Sequence, residues 1–196
     1  MVGVARTHHN LADRNNIRMC TLSPAPADRA TDLSVTVLVG NPKPGSRTAE
    51  LASAFAQALT NNATATRVDL GNPDLDTDEA RNAVLFSDPV VVASPTYKAT
   101  YTGLLKCFLD ALPSSAFDGT VVVPLITVGH PSHTLAADLH LRPLLLELGA
   151  IAPTPSVVIN VDETLGVPAA ITEPARRCRD AIATTARVTT RIGADT

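Results

Sequence analysis

Val35-Thr36-Val37-Leu38-Val39-Gly40-Asn41-Pro42-Lys43-Pro44-Gly45-Ser46-Arg47-Thr48 is the stretch from which the rest of the chain can be placed. Its first five residues are mostly β-branched and apolar, which suits a strand covered on both faces. Residues 40–45 then supply glycine, asparagine and proline, which turn a chain, and Leu51, Phe55 and Leu59 follow at the spacing of one helix face. A loop that leaves a buried strand and opens a helix carries unpaired N–H groups beside the positive end of the helix dipole. Such a place suits an anion. Ser46, Arg47 and Thr48 add two hydroxyls and a guanidinium to it, although Ser46 or Thr48 could equally serve as a plain helix cap with Arg47 in solvent.

Outward from this unit the same alternation repeats. Residues 65–70 read as a second strand and a helix follows through residue 87, capped by Asp76, Thr77 or Asp78. Residues 90–93 form a third, wholly apolar strand and 102–112 a helix; 120–126 form a fourth strand and 132–147 a long helix ended by Gly149. A fifth strand covers 156–161, and a last helix runs from Pro174, near its first turn, to residue 192. This alternation predicts an α/β fold, a doubly wound five-stranded parallel sheet between two helix layers, with strand order 2-1-3-4-5. In that order a ligand lies off the carboxyl ends of strands one and three, which directs attention to the loops after Val39, Ala93 and Ile126.

The totals narrow the class of function. At 196 residues with 45% hydrophobic content the chain fits a single domain, residues 34–196, preceded by an extension over 1–33 that is expected to be disordered. A net charge of −3 gives no electrostatic footprint for nucleic acid, and no apolar run is long enough to span a bilayer. No signal-peptide pattern opens the chain, and Cys20, Cys107 and Cys178 have no metal or redox spacing, so free thiols in a cytoplasmic protein are expected, with Cys107 in the core. His8 and His9 are read as incidental, and no metal site is expected.

The loop after the third strand reads Ser94-Pro95-Thr96-Tyr97-Lys98-Ala99-Thr100-Tyr101-Thr102-Gly103-Leu104-Leu105-Lys106 and holds both tyrosines of a chain that is 3% aromatic. Backbone groups of an irregular loop can read the edge of a flat ring while Pro95 and Tyr97 wall its side; the alternative is that the tyrosines pack the next helix. Taken together, G-N-P-K-P-G-S-R-T and P-T-Y-K-A-T-Y-T-G-L-L-K resemble the NAD(P)H-dependent FMN reductases of flavodoxin-like fold. Within them the similarity is greatest to the flavin reductases of two-component alkanesulfonate monooxygenases, over residues 35–159.

The resemblance implies that Ser46, Arg47 and Thr48 bind the flavin phosphate, that Pro95, Thr96, Tyr97 and Lys98 line the isoalloxazine, and that Thr127, Gly129 and His133 belong to a third loop closing over it. Lys106 matches the family pattern and has a structural reading as well. Two departures stand out. The third loop reads Val128-Gly129-His130-Pro131 where relatives have a Gly-Gly-Thr type, and the helix segment Asp138-Leu139-His140-Leu141-Arg142-Pro143 has Leu139 where relatives carry an inserted Tyr or His associated with a π-bulge. Pro143 cannot donate to Leu139, so a break in the helix ladder is expected there; His140 is read as exposed and Asp138 with Arg142 as a surface pair.

The implied chemistry needs FMN, with NADPH or NADH as hydride donor, and no catalytic side chain, because the flavin performs the difficult step. A flavin-dependent monooxygenase as recipient and a homodimer or homotetramer are further implications of the family. The alternatives are an FMN-bound quinone or azo reductase and a flavodoxin-like electron carrier, although the chain lacks the acidic surface and T-x-T-G loop of a carrier. Nucleotide hydrolysis is disfavoured because Ser46 stands where a P-loop has lysine.

Overall fold

A computed structural model describes residues 35–60, 65–87, 89–161 and 167–194. The extension expected over 1–33, with His8, His9 and Cys20, lies outside them. The elements run β1 (Val35–Val39), α1 (Arg47–Leu59), β2 (Ala65–Asp69), α2 (Thr77–Leu85), β3 (Val90–Pro95), α3 (Gly103–Asp110), β4 (Val122–Val128), a 3₁₀ turn (Pro131–His133), a π-helical turn (Ala137–Leu141), α4 (Arg142–Glu147), β5 (Val157–Asn160) and α5 (Val167–Ala194). All strand pairs are parallel and the order is β2-β1-β3-β4-β5, as the alternation predicts.

Because successive strand residues face opposite sides, the apolar strands feed two cores. Leu38, Val90, Val92, Val122 and Ile126 face one layer, where Leu105, Leu109, Phe117, Leu141 and Leu145 are buried. Val37, Val39, Val91, Ala93, Val123 and Leu125 face the other, which is filled by Leu51, Ala52 and Phe55 of α1 and by Ile171, Ala175 and Cys178 of α5. Pro124 sits inside β4 without cost to the ladder. Odd-numbered residues of β4 direct their amides toward β3, and on the other side β5 begins only at the Leu125↔Val157 pair.

Five expectations are corrected. Thr127 belongs not to the third loop but to the sheet, because β4 runs on to Val128. The helix expected over 132–147 is divided into the 3₁₀ turn, the π turn and α4; Arg142 N–H reaches back to Ala137 O, the i to i−5 bond of a π turn, just ahead of Pro143. Pro174 lies inside α5 rather than at its start, and Pro168, the second helical residue, takes the position where a missing amide costs nothing. Cys107 is exposed, because the buried face of α3 is set by Leu105, Phe108 and Leu109 and residue 107 points away from it. Of the two cysteines among the described residues Cys178 is the buried one, and burial raises its pKa.

Asp138 and Arg142 do not pair with each other. Asp138 accepts from the Ser156 hydroxyl at 2.6 Å, while Arg142 donates to the carbonyls of Thr154 and of Ala152, the latter at 2.6 Å, and so ties down the segment that leads into β5. His140 is exposed, as read from the sequence. Among the described residues no helix is long and apolar enough to cross a membrane.

Candidate active site at the carboxyl edge of the sheet

Strands β1, β3 and β4 are neighbours, so the loops that follow them emerge side by side at one edge. The first loop is shaped from within. Asn41 closes an Asx turn by accepting from Lys43 N–H at 3.0 Å, and Gly45, at φ 61°, takes a left-handed conformation that a side chain would strain. Asp69, at the end of β2, accepts from Gly45 N–H at 3.0 Å and Gly71 N–H at 3.2 Å, which anchors the loop to the neighbouring strand.

Ser46 is the N-cap of α1 and accepts from Ala49 N–H at 3.3 Å. The N–H groups of Ser46, Arg47 and Thr48 meet no acceptor among the described residues, so the donors expected of an anion site remain available. Arg47 is exposed and bridges to Glu50 at 3.2 Å, a surface pair of small energy from which the guanidinium can turn. Thr48 is buried, and its hydroxyl faces inward to Asn41 and Thr127.

The second loop is a hairpin. Tyr97 and Thr100 exchange backbone hydrogen bonds of 2.8 and 3.2 Å, and Lys98 and Ala99 between them both have positive φ, 50° and 65°. This is the sign pattern of a type I′ turn, normally given to Asn-Gly, and each side-chain-bearing residue there carries strain of about 1–2 kcal/mol. Tyr97 stands 51% exposed at the hairpin, whereas Tyr101 packs against the core. The packing reading holds for Tyr101, while Tyr97 stands clear of the core at the edge of the sheet. Pro95 and Thr96 are half-buried, with Thr96 N–H and hydroxyl both donating to Thr127 O at 2.9 and 3.1 Å.

In the third loop Gly129 is exposed and His133, half-buried, ends the 3₁₀ turn that His130 caps by accepting from Ser132 N–H. Lys106 lies off the edge on α3 and is engaged with Asp110 at 2.5 Å; that hydrogen bond raises its pKa. The edge thus brings together Ser46, Arg47, Thr48, Pro95, Thr96, Tyr97, Lys98, Thr127, Gly129 and His133, and leaves Lys106 on a surface pair. Two clefts of about 250 and 230 Å³ lie elsewhere, against β2 and between α2 and α3; Asp74, Asp76 and Glu79 line the first and make it a poor anion site.

Residues that sequence reasoning passed over do the clamping. Thr102 caps α3 by accepting from Leu105 N–H at 3.2 Å and donates to Gly40 O at 2.5 Å, while Ser94 hydroxyl accepts from Thr102 N–H at 3.0 Å. Thr102 before an apolar helical run is an N-cap signal, but its bond to Gly40 spans 62 positions and has no local signature.

Comparison with known proteins agrees with this geometry. Residues 33–164 match the family model described as NADPH-dependent FMN reductase. The chain is 50% identical over 64 residues to an FMN reductase (NADPH) of Escherichia coli (strain K12), covering 33% of this chain and 34% of that one. It is 36% identical over 98 residues to the NADH-dependent FMN reductase SfnF of Pseudomonas putida, covering 50% and 48%. These alignments span from a third to about half of the relatives' length. A crystal structure of an apo NADH:FMN oxidoreductase (EMOB) superposes with TM-score 0.68 at 30% identity, over 76% of this chain and 89% of that one. With the family model covering most of the described sheet, this chain belongs to the NADPH-dependent FMN reductase family.

Proposed function

We propose that the protein is an NAD(P)H-dependent FMN reductase whose reduced flavin serves a partner monooxygenase. The observation that carries this reading is the pairing, on one sheet edge, of open N–H groups at the start of α1 with the Tyr97 hairpin that follows the adjacent strand β3. Ser46, Arg47 and Thr48 would hold the phosphate through those N–H groups, with Arg47 exchanging Glu50 for the anion. Pro95, Thr96, Tyr97 and Lys98 would border the ring, and Gly129 and His133 would approach it from the third loop. When bound, FMN supplies the two-electron chemistry by taking hydride from NADPH or NADH. The side chains orient the ring and balance charge, and none is required as acid or base. A cytoplasmic homodimer or homotetramer is part of the same proposal.

Arg47→Ala tests the phosphate assignment. Loss of one charge-assisted hydrogen bond is expected to weaken FMN binding about tenfold, read by quenching of flavin fluorescence; unchanged affinity would refute it. The supply role is tested by steady-state NADPH and NADH oxidation at varied FMN. A hyperbolic dependence on added FMN is expected, since flavin must then turn over as substrate. A yellow protein whose rate ignores added FMN and rises with a quinone or azo dye would favour a resident flavin and a different acceptor.

A further inference from the structure

Thr127 enters the site from an unexpected direction. It is the sixth residue of β4 and only 3% exposed, and its hydroxyl lies 2.7 Å from the hydroxyl of Thr48, itself 2% exposed. Asn41 Nδ2 donates to the same Thr48 oxygen at 3.3 Å. The Asn41 amide cannot be reversed at no cost, because its Oδ1 already accepts from Lys43 N–H at 3.0 Å. Three buried polar side chains thus meet directly beneath the first turn of α1.

A hydroxyl has one proton and two acceptor positions. Asn41 fills one acceptor position of Thr48, and the proton of the 2.7 Å contact can lie on either side. With Thr48 as donor, its only proton is turned inward and nothing is left for an anion. With Thr127 as donor, both acceptor positions of Thr48 are filled and its proton is left free for a further acceptor. An anion at the open N–H groups of the helix start selects the second arrangement.

We infer that Thr127 is a positioning residue that donates to Thr48 and so aims the Thr48 hydroxyl at the flavin phosphate, an inference that rests on the phosphate reading above. The Thr127 backbone is held in register for this by Thr96, whose N–H and hydroxyl both bond to the Thr127 carbonyl. The ring-side loop and the phosphate-side helix are therefore connected through one residue.

Thr127→Val keeps the shape and deletes the hydroxyl. Binding of FMN and of riboflavin, which lacks the phosphate, is compared by fluorescence in wild type, Thr127→Val, Thr127→Ser, Thr48→Ala and the Thr48→Ala, Thr127→Val double variant. Thr127→Val is expected to weaken FMN about fivefold and leave riboflavin unchanged, Thr127→Ser to restore FMN binding, and Thr127→Val to add nothing in the Thr48→Ala background. Equal weakening of both flavins, or the same loss without Thr48, would assign Thr127 a packing role and overturn the inference. Equal affinity of the wild type for both flavins would overturn the phosphate reading along with it. A preference for FMN that Thr127→Val does not alter would overturn this inference alone.

Discussion

Gly40→Ala is expected to destabilise the fold by about 1–3 kcal/mol and to abolish measurable FMN binding. A Cβ at residue 40 would lie 2.4 Å from Leu105 Cβ, a separation that real Cβ atoms do not reach. Leu105 is fully buried, and the atom struck is next to its backbone rather than at a flexible tip, so α3 must move as a body. Moving it opens the Thr102 bond to Gly40 O and disturbs the Gly40 N–H bond to Ala93 O, which together fix where the first loop leaves the sheet. Urea denaturation and FMN titration of the variant check both effects. Adding Leu105→Ala should give no rescue, since alanine retains the Cβ that clashes. Recovery in that double variant would show that the clash involves only the outer part of the leucine.

Thr102→Val is expected to cost about 2–4 kcal/mol, again by urea denaturation. One part is the lost N-cap on Leu105 N–H, about 1 kcal/mol. The other is the Gly40 carbonyl, left buried without its 2.5 Å partner, at about 1–3 kcal/mol. Valine fills the same volume, so packing is not the cause. Thr102→Ser keeps the hydroxyl and should recover most of the stability; a valine variant as stable as the wild type would show that the two hydroxyl bonds contribute nothing.

The sheet was legible because its determinants are local and repetitive. Val35–Val39 and Val90–Val92 read as strands covered on both faces, each followed by turn residues, and the right-handed crossover rule left few orders to consider. The edge at which a site is to be sought followed from the order. What escaped the sequence depends on distant partners. Lys98-Ala99 carries none of the glycine or asparagine that announces a turn with positive φ, and the tertiary setting overrides local preference there. Pro143 signalled a broken ladder without saying that the break would be a π turn. Arg142 lay one helical turn from Asp138, yet two carbonyls of the chain ahead of β5 outcompete that carboxylate. Cys107 lay in an apolar run, but α3 has one buried side and residue 107 is not on it. Thr127 was placed in a closing loop by family pattern, whereas β4 extends to Val128 and makes it part of the sheet.

The composition of the Lys98-Ala99 corner also has a thermodynamic side. Glycine in its place would relax the native turn, but a glycine-bearing unfolded chain samples many more shapes and would lose more freedom on ordering. Lysine and alanine make the opposite exchange, accepting native tension for a narrower denatured ensemble. The exchange is unequal, since native tension of about 1–2 kcal/mol per residue exceeds the roughly 0.4–1 kcal/mol gained in the unfolded chain, so the corner keeps its shape through its surroundings, beginning with the paired backbone bonds of Tyr97 and Thr100.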